Sequence, residues 1–116
     1  MKILFYNKNN RQPVVEVIEE LESKDRAKIL ACLKCIEELG FNCPRVEFRQ
    51  IRGQLWEIKI KTHNVGFRIF YVVIKDMTMI LLHAYKKQSQ KAPPKEIDLA
   101  EKRMLEVLKY EKDYVG

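Results

Sequence analysis

The sequence lacks the features of a membrane span, a secreted disulfide scaffold or a disordered chain. Its 116 residues include only four glycines, four prolines and three cysteines, while 47% are hydrophobic and 33% are charged. The longest unbroken apolar run covers residues 69–74, whereas a bilayer span needs about 18 residues, and no signal-peptide core is recognisable. We therefore expect one soluble, cytoplasmic domain over residues 1–116, without membrane association, repeats or low-complexity segments.

The cysteines do not suggest a disulfide framework. Their number is odd and no secretion signal is apparent, so Cys32, Cys35 and Cys43 should stay reduced. Cys32 and Cys35 lie three residues apart in a predicted helix, where a zinc site would need two further ligands. Small buried hydrophobic side chains are the favoured interpretation over metal or redox chemistry.

Positive charge is concentrated in the middle of the chain. Residues 49–95 carry ten basic and two acidic side chains, whereas residues 1–48 balance eight against eight. A one-sided positive field suits a polyanion such as nucleic acid, and the alternative is a solvated lysine-rich surface. Glu57 and Asp76 are too few acids to hold a pair of catalytic metal ions, so no metal or other cofactor is expected.

Apolar periodicity predicts the order β-α-α-β-β-β-β-α, an α+β fold. A short strand over residues 2–6 precedes two helices, over about residues 12–22 and from residue 23 to a stop at Gly40. Four segments rich in β-branched and aromatic residues follow, at 48–51, 55–61, 67–74 and 77–86. A C-terminal helix follows Pro94. We expect the helical hairpin to pack on one face of a mainly antiparallel sheet.

Turn length predicts how the second and third of these strands pair. A four-residue turn at residues 62–65 places Lys59 opposite Arg68 and Lys61 opposite Gly66. The missing side chain at Gly66 leaves a shallow dip beside these basic groups. We interpret the dip as a seat for a phosphate.

The register of the last hairpin depends on its turn. A two-residue turn at residues 75–76 sets His83 opposite Arg68 and Tyr85 opposite Gly66. An odd turn length would instead put His83 and Arg68 on opposite faces of the sheet.

The same register divides the apolar residues between the two faces. The face under the helical hairpin is predicted to carry Trp56, Ile58, Ile60, Phe67, Ile69, Tyr71, Val73, Ile80, Leu82 and Ala84. The other face is predicted to carry Phe70, Val72, Ile74, Met77, Met79 and Leu81. Because this second set is too apolar to be left in water, the C-terminal helix or a partner protein should cover it.

Arg68 is the strongest candidate for binding a phosphate. It stands among the apolar residues of a central strand, where a guanidinium is costly unless an anion or a carboxylate meets it. The alternative partner is Glu57, which lies diagonally opposite on the same face. Lys59 and Lys61 are weaker candidates of the same kind.

Two side chains of the last strand are candidates for proton transfer. An imidazole titrates near neutral pH, although a hydrogen-bonded core histidine is an equally good interpretation of His83. Tyr85 would stack on a base, move a proton or be an ordinary strand aromatic. The basic run beyond it, typical of RNA binding or of a solvated strand end, consists of Lys86, Lys87 and Lys91. His63 falls in a predicted loop without a convergent partner and is assigned no role.

Three motifs occur in order along the chain. They are Ile51-Arg-Gly-Gln-Leu-Trp-Glu-Ile-Lys59, Phe67-Arg-Ile-Phe-Tyr71 and His83-Ala-Tyr-Lys-Lys-Gln-Ser-Gln-Lys-Ala-Pro93. Together they resemble the RelE/HigB-type toxins, especially the phage-derived, Gp49-like branch of the RelE/ParE superfamily that inhibits host growth. The resemblance covers essentially the whole chain and implies a RelE-like fold. It also implies a type II toxin that cuts mRNA on the ribosome and is silenced by an antitoxin, expected to be a helix-turn-helix protein encoded next to it.

The resemblance further implies roles for individual residues. Arg68 would hold the scissile phosphate, and Lys59 matches the basic position of the preceding strand. The lysines that follow the last strand in this family match Lys86, Lys87 and Lys91 of this chain. The expected chemistry is metal-free attack of a 2′-hydroxyl on the adjacent phosphate, with proton transfer by His83, Tyr85 or a lysine.

Two other functions remain open on the same fold. One is a gyrase-inhibiting toxin of the ParE type, and the other is an inert relative that keeps only RNA or antitoxin binding. The basic and phenolic residues clustered near Tyr85 favour the ribonuclease.

Overall fold

The predicted α+β fold is confirmed by a computed structural model, which describes residues 1–87 and 93–115. The elements are β1 (Lys2–Phe5), α1 (Pro13–Glu19), α2 (Ser23–Leu39), β2 (Glu47–Arg52), β3 (Leu55–Lys61), β4 (Gly66–Ile74), β5 (Thr78–Lys87), α3 (Pro94–Lys109) and α4 (Lys112–Val115). The order matches the predicted one, with the short α4 added at the end. Within the described ranges, no helix is both long and apolar enough to cross a bilayer.

The five strands form one mixed sheet in the order β1-β5-β4-β3-β2. Strands β2 to β5 pair as an antiparallel meander, and β1 lies parallel to β5 at one edge. The chain therefore carries its three longest strands, β3, β4 and β5, next to one another in the sheet. Side chains from these strands can meet in continuous rows.

The helical hairpin covers one face of the sheet, as predicted. Pro13 occupies the first turn of α1, where its missing N–H removes no helical hydrogen bond. Gly40 ends α2 with a positive φ of 60°. The core beneath the hairpin includes Val14, Ile18, Ile29, Leu33, Ile36, Ile58, Ile60, Phe67, Ile69 and Tyr71. Cys32 and Cys43 are buried in this core, in agreement with the prediction of small hydrophobic roles for them.

Helix α3 covers the other face. The second core combines Phe70, Val72, Ile74, Ile80 and Leu82 of the sheet with Ala100, Met104 and Val107 of α3. The prediction that the C-terminal helix covers this apolar face is therefore confirmed.

The predicted register of the last hairpin is wrong. The turn between β4 and β5 holds three residues, Lys75–Met77, so Ile74 pairs with Thr78. A register shift follows between Tyr71 and Phe70 and leaves Leu82 as an extra residue on β5. Beyond this bulge Arg68 pairs with Tyr85 rather than with His83, and Gly66 pairs with Lys87 rather than with Tyr85.

The bulge also returns His83 to the sheet face of Arg68, a placement that the three-residue turn alone would have reversed. A three-residue turn alone moves His83 to the face opposite Arg68. Because the bulge adds one residue to β5, His83 pairs with Phe70 and shares its face with Arg68 after all.

Four apolar residues between the turn and the bulge lie on the faces opposite to those predicted. Met79 and Leu81 pack under the helical hairpin, whereas Ile80 and Leu82 pack under α3. A register slip of one residue inverts every side chain of a strand. Met77, which was placed in the apolar face, lies in the turn and is exposed.

Candidate functional site

Two rows of side chains cross β3, β4 and β5 on the α3 face of the sheet. Lys59 pairs with Arg68, as predicted, and Arg68 pairs in turn with Tyr85. In the next row Lys61 pairs with Gly66, also as predicted. Gly66 then pairs with Lys87, which takes the position expected for Tyr85.

A cleft of about 430 Å³ opens at the end of these rows. Its lining includes Glu47, Lys59, Lys61, His63, Arg68 and Lys87 together with Gly66. A methyl group at Gly66 would lie 3.4 Å from Lys87 Cβ and 3.7 Å from Arg68 Nη1. The glycine therefore leaves an open space between two cations, which agrees with the predicted dip.

Arg68 connects this cleft to the interior of the sheet. Only 7% of the residue is exposed, its Nη1 donates a hydrogen bond to the Phe67 carbonyl oxygen at 3.3 Å, and its Nε lies 3.8 Å from Glu57 Oε1. Arg68 therefore lies beside Glu57, the carboxylate that was predicted as its alternative partner to a phosphate. Since Nη1 also borders the space at Gly66, one guanidinium can contact both the carboxylate and an anion in the cleft.

Glu57 itself is fully buried among basic groups. Arg49 Nη2 donates a hydrogen bond to Glu57 Oε1 at 3.0 Å, so two arginines share this one oxygen. The other oxygen, Oε2, is buried without a hydrogen-bond partner among the described residues. Arg49 was missed by the sequence analysis, because it pairs with Glu57 only through a register shift between Gln50 and Arg52. Without that shift, the short turn between β2 and β3 would set Arg49 opposite Ile58.

The remaining charges give the cleft a positive potential. Lys59 Nζ lies 3.4 Å from Glu47 Oε2, and Glu47 is largely exposed to solvent. Desolvation lowers the pKa of Lys87, and the charges of Arg68 and Lys59 lower it further. Clustered cations of this kind favour binding of an anion, which would relieve their mutual repulsion.

Tyr85 lies beside the cleft in an aromatic stack. Its ring centroid is 5.6 Å from that of Phe70 and 6.2 Å from that of His83. Burial raises the pKa of Tyr85 to about 12, and the charge of Glu57 adds to the shift. The phenol therefore keeps its proton near neutral pH and can donate a hydrogen bond.

His83 is engaged by α3. Its Nε2 lies 2.5 Å from Glu96 Oε2, and Arg103 Nη1 lies 3.3 Å from its Nδ1 and donates to the Leu82 carbonyl oxygen at 3.0 Å. Because a guanidinium can only donate, Nδ1 accepts and Nε2 carries the proton. Burial lowers the pKa of His83. These contacts fit the interpretation of a hydrogen-bonded core histidine, and a catalytic role for His83 stays a prediction.

The predicted basic run is divided by the strand. Lys87 lines the cleft, whereas Lys86 pairs with Phe67 on the hairpin face and is exposed. Lys91 lies outside the described residues. Lys61 is exposed and lines the cleft, as its pairing with Gly66 predicted.

His63 was assigned no role from the sequence. It lies in the turn between β3 and β4 and lines the cleft. Hydrophobic periodicity fixes where a turn occurs but gives no direction for the side chains within it. The one sequence feature that could have indicated a site role for His63 is its position in the chain. It lies between Lys61 and Gly66, and the predicted register assigned both of them to the phosphate seat.

A family model described as "Phage derived protein Gp49-like" matches residues 16–105, a range that contains the whole cleft. The chain thus belongs to the RelE/ParE-like toxin superfamily, and within it the chain is a member of the phage-derived Gp49-like family. No curated protein matches the chain.

Proposed function

We propose that this chain is the HigB-like toxin of a type II toxin–antitoxin pair and that it inhibits translation by cutting mRNA on the ribosome. Membership of a toxin superfamily supports the first part. The observation that carries the second is the cleft, in which Lys59, Arg68 and Lys87 surround the open space at Gly66. Such a site suits a phosphate group, and a 2′-hydroxyl next to that phosphate restricts the substrate to RNA.

The proposed reaction is attack of the RNA 2′-hydroxyl on the adjacent phosphorus. The bond to the 5′-oxygen breaks, leaving a 2′,3′-cyclic phosphate and a 5′-hydroxyl. Arg68 and Lys59 stabilise the negative charge that develops on the phosphoryl oxygens. These cations supply charge stabilisation in the way that a metal ion would, so the mechanism requires no cofactor.

Proton transfer falls to the groups around the phosphate seat. Tyr85 and His83 remain candidates, and the third is Lys87, a lysine of the cleft. Its lowered pKa makes loss of the ammonium proton easier, which favours Lys87 as the acid that protonates the 5′-oxygen. Lys61, Lys86 and Lys91 are proposed to contact the RNA backbone.

The proposed partners are the ribosome with its mRNA and a cognate antitoxin, expected to be a helix-turn-helix protein encoded nearby. The net positive charge of residues 49–95 supports a polyanionic partner. Action on translating ribosomes would take place in the cytoplasm.

Expression in a bacterium tests the proposal. Induction of the wild type should stop growth and create new mRNA 5′ ends at in-frame positions, mapped by primer extension. Arg68→Ala should abolish both effects, and Arg68→Lys should keep the charge but lose the forked contact. The matched control is Lys75→Ala, which removes an exposed cation of the same basic stretch at the far end of β4 and should remain toxic.

Circular dichroism confirms that each variant folds. A folded Arg68→Ala protein that is as toxic as the wild type would refute the phosphate role of Arg68. Growth arrest with a DNA-damage response but without new mRNA ends would support the gyrase-inhibiting alternative. Absence of both arrest and cleavage would support the inert relative.

A further inference from the structure

The turn between β3 and β4 holds His63 at the cleft. His63 lines the same cleft as Lys59, Arg68 and Lys87. It is exposed, so an RNA strand in the cleft could reach it. Among the cleft-lining residues that the structure describes, it is the one histidine.

The turn that carries His63 is closed by a buried threonine. Thr62 Oγ1 accepts hydrogen bonds from the backbone N–H groups of Asn64, at 3.3 Å, and Val65, at 2.9 Å. The Thr62 backbone N–H also donates to the Val65 carbonyl oxygen at 2.8 Å. These bonds fix the path of the chain on both sides of His63, so the residue is held at the edge of the cleft.

The other groups of the cleft are poorer proton acceptors. Lys59, Arg68 and Lys87 are cations, and Glu47 is paired with Lys59 at 3.4 Å. A base works best when its pKa lies near the working pH, which matches an imidazole better than a carboxylate. His83 is held by Glu96 and Arg103 on α3 and does not line the cleft.

We propose that His63 is the general base of the RNA cleavage described above, an inference that rests on the proposed function. An imidazole nitrogen of His63 takes the proton of the 2′-hydroxyl while the 2′-oxygen forms its bond to phosphorus. The bond from phosphorus to the 5′-oxygen breaks, and that oxygen takes a proton from the Lys87 ammonium. The phosphate stays between Arg68 and Lys59 throughout.

Single-turnover cleavage of ribosome-bound mRNA by the purified full chain, measured from pH 5.5 to 8.5, tests this role. The wild-type rate should rise with pH and then level off within this range, because the base must be neutral to accept a proton. His63→Gln should lower the plateau rate by about 100-fold and remove this rise. Its affinity for the ribosome–mRNA complex should change by less than about threefold, since the phosphate-binding cations remain.

Chemical rescue separates proton transfer from positioning. Free imidazole should raise the rate of His63→Ala by about tenfold or more while leaving the wild-type rate unchanged, because the added base fills the space of the missing ring. Loss of rate in His63→Gln without loss of the pH-dependent rise, and without imidazole rescue of His63→Ala, would mean that the residue only shapes the turn. That result would overturn the proposal.

The remaining outcomes identify which idea fails. A wild-type rate that stays level from pH 5.5 to 8.5 would point to the Glu47 carboxylate as the base, and loss of the rise in His83→Gln but not in His63→Gln would assign the base to His83. Either result refutes the role of His63 and leaves the ribonuclease standing. Absence of cleavage by the wild type would refute both proposals.

Discussion

Replacing Glu57 by glutamine changes only one charge in the centre of the sheet. The carboxylate is fully buried. Its Oε1 accepts a hydrogen bond from Arg49 Nη2 at 3.0 Å and forms an ion pair with Arg68 Nε at 3.8 Å. Glutamine has nearly the same shape, so packing of the neighbouring side chains should be preserved. The substitution leaves Arg68, itself 7% exposed, without its opposite charge.

The expected loss of stability follows from these contacts. Breaking a buried ion pair by removing one partner costs about 3–5 kcal/mol, because the remaining charge stays uncompensated. The lower end applies here, since Arg49 is half-exposed and Arg68 Nη1 already borders the cleft. A chain of 116 residues unfolds with an entropy of about 0.24 kcal/mol per kelvin. A loss of about 3 kcal/mol should therefore lower Tm by about 12 °C.

Thermal and urea denaturation followed by circular dichroism at pH 7.5 measures this loss. Glu47→Gln is the matched control, because it removes an exposed carboxylate that also pairs with a lysine of the cleft. An exposed pair contributes only about 0–1 kcal/mol, so the control should unfold within a few degrees of the wild type. If Glu57→Gln also unfolds within that margin, Arg68 does not depend on the carboxylate and the reasoning is wrong.

Two further predictions concern the neighbouring residues. Burial lowers the pKa of His83, so the unfolded chain binds its proton more readily, and stability should fall as pH drops below about 6.5. Urea denaturation at pH 7.5 and 5.5 measures this, and the difference should shrink in His83→Gln. Gly66→Val should keep the fold but narrow the space beside Lys87, lowering the affinity for a short RNA about tenfold by fluorescence polarisation. Unchanged affinity would remove Gly66 from the phosphate seat.

The architecture could be predicted because apolar residues recur with helical spacing in the helices and alternate in the strands. The helical residues of α1 and α2, the alternation in β3 and the helical spacing of α3 all gave the observed elements. The turn at residues 62–65 was also predicted correctly, since the polar residues Thr62, His63 and Asn64 separate two strand-like segments. Lys59 and Arg68 were therefore paired correctly from the sequence alone.

The last hairpin could not be predicted in the same way. Its turn has positive φ at Asp76 and Met77. Neither is the glycine or asparagine that usually indicates such a turn in a sequence. The strand beyond it reads Met79 to Leu82 without a polar residue, because both faces of the sheet are buried here. Without alternation the sequence contains no sign of the bulge at Leu82.

The bulge nevertheless determines which side chains border the phosphate seat. The register next to the turn, in which Ile74 pairs with Thr78, would bring Ala84 opposite Arg68 if it continued along β5. Tyr85 would then point into the core under the helical hairpin, and the cation opposite Gly66 would be Lys86 instead of Lys87. With the extra residue, Arg68 faces Tyr85 instead. Bulges that redirect side chains are common next to functional sites, so the irregular part of β5 belongs to the candidate site as much as the charged residues do.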